Sequence, residues 1–171
     1  MLEIHPFANL MAIASAINRM DLLFIGRAVG TVPWCLYHAW WTDPGGWAPG
    51  NSQVAGGPFP AAIADGLEPL SAIAVCARDG NTVDAFVVGT DGLLYATSLA
   101  RAANTWTALV AIATPHPPGS SLPASIDAAC SDGAGSIQLI VSGRDGQAYW
   151  TSRTPVAPNF PPLQRVVPLN L

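Results

Sequence analysis

VDAFVVGTDGLLYATS, residues 83–98, is an apolar run that stops at Gly-Thr-Asp-Gly and then resumes. It reads as a hairpin: Val83 to Val88 in one strand, Asp91-Gly92 in the turn, Leu93 to Ser98 in the next. Asp-Gly is a strong hairpin signal because tight turns need backbone angles that Gly and Asp tolerate. The stretch has a near-copy downstream. With residues 70–113 set above 124–167, Asp79-Gly80 falls on Asp132-Gly133, 53 apart. Gly89 falls on Gly143, Asp91-Gly92 on Asp145-Gly146, Tyr95 on Tyr149 and Trp106 on Phe160, each 54 apart. A looser copy upstream places Gly26 on Gly89, Tyr37 on Tyr95 and Trp47 on Trp106, at offsets of 63, 58 and 59, and the drift locates an insertion, RAVGTVPW. Residues 1–171 thus read as one repeat domain with units at about 8–57, 70–113 and 124–168, joined by the Pro- and Gly-rich connectors GPFPAAIADGLEP and TPHPPGSSLP.

Each unit predicts four strands; in the second they span roughly 71–78, 82–89, 93–99 and 106–113. An antiparallel sheet with one wet face alternates apolar and polar residues. The runs AIAVCA, DAFVVG and QLIVSG are instead apolar on both faces, apart from Asp84 or Gln138. Sheets packed between two neighbours have that pattern, and four-stranded sheets stacked face to face around an axis are β-propeller blades. The expected fold is therefore all-β, with three four-stranded β-propeller blades per chain. A β-trefoil, three repeats of four strands closed within one chain, is the alternative. Propellers run from four blades upward, and an open arc of three leaves two apolar faces uncovered. Self-association as a dimer of six blades around a two-fold axis is one remedy, and a longer parent chain is the other.

Composition agrees with short strands. Half of the 171 residues are hydrophobic types, only 11% are charged, and sixteen Gly with sixteen Pro punctuate the chain too often for long helices. The net charge is −4; there is no lysine, and the seven arginines are scattered. Nucleic-acid binding needs a clustered basic face, so none is expected, and a neutral ligand fits better. The N-terminus MLEIHPFANLMAIASAI has Glu3 and no basic region, unlike a secretory signal or a spanning helix. No membrane insertion is expected, and location is cytoplasmic or reached by a non-classical export route. Cys35, Cys76 and Cys130 cannot all pair, and Cys76 and Cys130 sit at matching places in apolar strands, which reads as buried free thiols.

The motif residues Gly89-Thr90-Asp91-Gly92-Leu93-Leu94-Tyr95, Gly143-Arg144-Asp145-Gly146-Gln147-Ala148-Tyr149-Trp150, and Leu36-Tyr37-His38-Ala39-Trp40-Trp41 with Gly46-Trp47 resemble the repeat of bacterial β-propeller lectins of the fucose-binding, Photorhabdus-lectin type. A looser likeness is to tectonin-like propellers. The resemblance covers nearly the whole chain after about residue 8. It implies glycan partners, fucose-type among them, bound between adjacent blades. Only the first unit keeps the full aromatic run; the second has Ala96 and Ser98 where the first has His38 and Trp40, and the third has Trp150 and Ser152.

Sugars present C–H faces and hydroxyl edges, so a site needs an aromatic plate and a few planar polar groups. The candidate ligand residues are Trp40, Trp41 and Trp150 with His38, Arg144 and Arg153. The repeat-matched aromatics Tyr37/Tyr95/Tyr149 and Trp47/Trp106/Phe160 read as pegs between blades, and Asp91 and Asp145 as turn residues. No enzyme is expected: His5, His38 and His116 have no nucleophile or metal spacing around them, and no GxSxG, HExxH, P-loop or dinucleotide fingerprint occurs. No cofactor is expected. The competing non-enzyme reading is a structural or protein-interaction propeller with no sugar ligand.

Overall fold

The computed structural model describes residues 2–4, 10–28, 35–48, 72–89, 92–112 and 123–167. Among these, all regular structure is β, in three antiparallel sheets. The first sheet holds β1 (Leu2–Ile4), β2 (Met11–Ala16), β3 (Arg19–Ala28), β4 (Cys35–Thr42) and β5 (Gly46–Ala48). Its long β3 takes both β1 and β2 on one edge, β2 along Arg19–Leu23 and β1 along Gly26–Ala28, while β4 and β5 follow on the other. The second sheet holds β6 (Ala74–Ala77), β7 (Thr82–Val88), β8 (Leu94–Ala100), β9 (Thr105–Trp106) and β10 (Val110–Ala111), the last two both pairing with β8. The third holds β11 (Pro123–Ser131), β12 (Ile137–Gly143), β13 (Ala148–Arg153) and β14 (Gln164–Arg165) in sequence order.

The hairpins form where the Gly-x-Asp-Gly signal places them. Gly89 N–H donates to the Leu93 carbonyl at 2.9 Å and Gly92 N–H to the Gly89 carbonyl at 2.9 Å; Gly143/Gln147 and Gly146/Gly143 repeat this at 2.8 and 3.0 Å. Gly92 and Gly146 have φ of 78° and 73°, the left-handed conformation that closes such a turn and that a side chain disfavours.

The sheets stack face to face, with β6 packed on β2 on one side and β11 packed on β6 and β7 on the other. Side chains on successive strand positions point to opposite faces. In β7, Ala85 and Val87 join Leu23, Ile25 and Leu36 of the first sheet in one core, while Phe86 and Val88 join Ile137, Leu139 and Val141 of the third in a second core. That explains why DAFVVG shows no alternation: both faces of the middle sheet are covered. These are propeller blades, and among the described residues no trefoil barrel forms. In β12 the strand that looked apolar throughout alternates sharply. Ile137, Leu139 and Val141 are buried against the second sheet, whereas Gln138 and Ile140 are exposed on the far face.

Two sequence expectations need correction here. Cys76 and Cys130 share a register, opposite Asp84 and Gln138, yet only Cys76 is buried and Cys130 is exposed. Cys76 is covered by the third sheet, and no described sheet covers Cys130. Nor are both end faces bare. On the first sheet's far face Phe24 and Tyr37 stack with centroids 5.7 Å apart and are buried, with Leu22 and Ala39 beside them. Among the described residues the exposed aromatics are Trp150 (37%) on the third sheet and Trp47 (45%) at the rim of the first.

Candidate functional site

Register fixes which side chains meet at each seam between sheets. Asp21 pairs with Trp40, Asp84 with Ser98 and Gln138 with Ser152, so these are corresponding positions on the face each sheet turns toward the next. The fourth-strand segments are tied by matching buried hydroxyls: Thr97 Oγ1 donates to the Thr107 carbonyl at 2.7 Å and Thr151 Oγ1 to the Pro161 carbonyl at 2.8 Å. Those ties hold Trp106 and Phe160 beside the seams.

At the first seam the space is filled. Asp21 is 0% exposed. Its carboxylate accepts from Ser15 Oγ, from Arg19 Nε and Nη2 at 3.0 and 2.7 Å, and from His38 Nε2 at 2.8 Å. Trp106 Nε1, a donor only, gives its proton to His38 Nδ1 at 2.9 Å, so the imidazole carries its own proton on Nε2. Arg19 also reaches Asn104 of the second sheet at 2.7 Å and lies over the Trp40 ring, 5.4 Å from its centroid. His38 stacks on Trp40 and meets Trp106 edge-on, at 5.4 and 5.1 Å. Burial pushes the Asp21 carboxyl up, but the hydrogen bonds from His38, Arg19 and Ser15 outweigh it and hold the group at about 2. The result is a neutralised, hydrogen-bonded lock between two sheets.

At the second seam the same height of the stack holds a cavity of about 370 Å³, bordered by Arg78, Asp84, Ser98, Arg153, Asn159 and Phe160. The buried Asp84 carboxylate is engaged at both oxygens from its own sheet. Arg78 grips both oxygens, with Nε at 2.7 Å, and Ser98 Oγ donates at 2.5 Å. From the third sheet Arg153 approaches Asp84 only to 3.7 Å, beyond hydrogen-bond range, and rests on the Phe160 ring at 5.5 Å. Phe160 in turn meets Phe86 of the second sheet edge-on at 6.0 Å. Burial, then the neighbouring Arg78, lower the Arg153 guanidinium from its ordinary value. By register Arg153 stands where the second sheet has Leu99 and the first Trp41.

A second hollow, about 380 Å³, opens on the far face of the third sheet, beside Cys130, Ser136, Gln138, Ser152 and Arg153. Gln138 and Ser152 correspond to Asp84 and Ser98, so this hollow is half of a seam.

The six side chains singled out from the sequence lie in different places. His38 (1% exposed) and Trp40 are packed in the first seam. Trp41 is on the opposite face of β4 and pairs with Trp47 across β5. Trp150 is exposed on the far face of the third sheet, and Arg144 is exposed in the β12–β13 turn. Arg153 alone of the six borders the cavity. Its companions Arg78, Asp84, Ser98, Asn159 and Phe160 were not anticipated as ligand residues. The signal for Asp84 was present, since a carboxylate interrupting a strand apolar on both faces must have a buried partner. Among the described residues no group of three His, Cys, Asp or Glu gathers to hold a metal, and no helix is long and apolar enough to cross a membrane.

No protein-family model matches the sequence, and no curated protein matches it. Among solved structures, the fold is similar to the crystal structure of the BP39L lectin from Burkholderia pseudomallei, with a TM-score of 0.65 and 23% identity over 99% of this chain. The chain spans 42% of the length of that lectin chain.

Proposed function

We propose that the chain is a non-catalytic saccharide-binding propeller protein that takes its sugar in the cavity between the second and third sheets. The observation that carries this is the cavity itself. Its 370 Å³ falls at the small end of ligand pockets, the size for one or two sugar rings. Phe160 and Ala96 supply apolar wall for a C–H face, and Ser98, Asn159 and Arg153 supply polar edges for hydroxyls. The fold likeness to a protein that is itself a lectin supports the same role. Of the residues nominated from sequence, Arg153 is retained as a ligand contact, and Phe160 joins it. A glycan array followed by titration of the hits tests this. Phe160→Ala should abolish binding while leaving the far-ultraviolet circular dichroism β-rich. Absence of binding to any glycan at millimolar concentration would refute it.

The partner that completes the stack is, in the same proposal, a second copy of the chain. Across the first seam Trp106 meets His38, and across the second Phe160 meets Phe86 beside Ala96. Trp150 holds the position of His38 and Ala96, while Trp47 holds that of Trp106 and Phe160, and both are exposed. Head-to-tail docking brings the partner's Trp47 onto Trp150 and gives the half-seam hollow its second wall. Two such contacts around a two-fold axis close six sheets. Analytical ultracentrifugation should find a dimer that Trp150→Glu converts to a folded monomer; a wild-type monomer at high micromolar concentration would refute it.

A further inference from the structure

The donors and acceptors around the cavity point further than a sugar in general, on the premise of the saccharide-binding role proposed above. Three charged groups border the space, the cations Arg78 and Arg153 and the carboxylate Asp84, which leaves one positive charge in excess. Asp84 has little acceptor capacity left for a ligand hydroxyl, because Arg78 and Ser98 engage both of its oxygens and the remaining Oδ2 site faces Arg153 at 3.7 Å. Arg78 directs its donors to Asp84 and to Ser98 Oγ at 2.9 Å. Arg153 is the opposite case. Its side chain is 16% exposed, it makes no hydrogen bond to any described residue, and its guanidinium is held against the Phe160 ring. The charged wall therefore offers free donors at Arg153, while its acceptors are the neutral Asn159 amide oxygen and what little Asp84 has left, so donors outweigh acceptors. A hydroxyl-rich neutral sugar needs both. A carboxylate needs donors alone, and its two oxygens match the planar fork of a guanidinium.

We infer that the cavity selects a carboxylate-bearing saccharide, a uronic acid unit, whose carboxylate seats on the free edge of Arg153 while the ring lies along Phe160. The scatter of arginines along the sequence favoured a neutral ligand; folding brings two of them, 75 positions apart in the chain, to one cavity with a single carboxylate between them. Partial burial strengthens such a pair relative to open water. It also explains why Arg153 takes the place of the Leu99 and Trp41 found at that register in the other sheets.

Isothermal titration of the wild-type protein with glucuronic and galacturonic acids, against glucose and galactose, reads the selectivity directly. At least one acid should bind tenfold or more tightly than its neutral counterpart, and the advantage should shrink as salt rises from 20 to 500 mM. Arg153→Gln, with its melting transition unchanged, should reduce the acid to the affinity of the neutral sugar. Equal binding of acid and neutral sugar would overturn the acidic preference and leave the saccharide role standing. A preference that survives in Arg153→Gln would also overturn it. Acetate bound as tightly as the uronic acid would make the cavity a simple anion site and overturn it too. If neither these four sugars nor any glycan of the array binds, the saccharide role itself falls, and the acidic preference falls with it.

Discussion

Removing the charge of Asp21 should unfasten the first seam, by an amount the structure allows to be worked out. The carboxyl sits at about 2 in the folded chain against an ordinary 3.8, and each pH unit between those values corresponds to about 1.4 kcal/mol of preference for the charged form. The ionised network therefore contributes about 2 kcal/mol that an uncharged isostere lacks. Asp21→Asn also presents an amide N–H₂ toward Arg19, Ser15 or His38, all donors in the native arrangement. Breaking a buried pair while leaving its partner behind costs about 3–5 kcal/mol. We expect a loss of about 3 kcal/mol at pH 7, with Arg19 partly relieved by Asn104 and the Trp40 face. Because the folded value lies below the unfolded one, the wild-type advantage is complete above about pH 4 and is lost as pH falls toward 2. Urea unfolding of both proteins from pH 6 to pH 2 should show the gap between them narrowing by about 2 kcal/mol. A gap that stays constant over that range, or a variant as stable as wild type at pH 7, would show that Asp21 is not held charged by these partners.

Two further outcomes follow from burial and backbone geometry. Cys130 should react with iodoacetamide at pH 8 in the native protein, whereas Cys76, whose thiol burial and the nearby Asp84 push up to about 12, should react only after unfolding; mass spectrometry of the labelled peptides reads both sites. Native labelling of Cys76 at the rate of Cys130 would mean that the second and third sheets are not packed as described. Gly135→Ala should cost about 1–3 kcal/mol in urea unfolding, because φ there is 100° and an added Cβ would meet Pro155 Cγ at 3.0 Å; a variant of unchanged stability would count against the β11–β12 turn as drawn.

Much of the architecture could be read before folding. The 54-residue offset placed the hairpins, and apolar runs without alternation pointed to sheets covered on both faces. Position 84 was visible as an oddity in such a run. What periodicity could not tell was which face of each strand meets a neighbour, so Cys130 looked as buried as Cys76, and Ile140 as buried as Phe86. The same gap misdirected attention at the site. Trp40 drew notice as a sugar plate and His38 as a polar group beside it because aromatic runs are conspicuous, yet they are engaged with Arg19, Asp21 and Trp106. The cavity depends on Arg78, Asp84 and Arg153 converging from separate strands, a relation set by inter-sheet packing that no local motif records.

Each seam is built from two unlike half-surfaces, and this bears on valency. Among the described residues the three sheets of one chain make two seams, one plugged and one hollow, so a lone chain offers one closed-sided hollow beside the half-seam on its third sheet. Joining chains end to end would add a junction per contact whose walls, Gln138 and Ser152 on one side and Trp47 on the other, differ from both internal seams. Polyvalent grip on a repeating polysaccharide, where tethered sites gain by effective concentration, would then depend on ring closure more than on the strength of any one hollow.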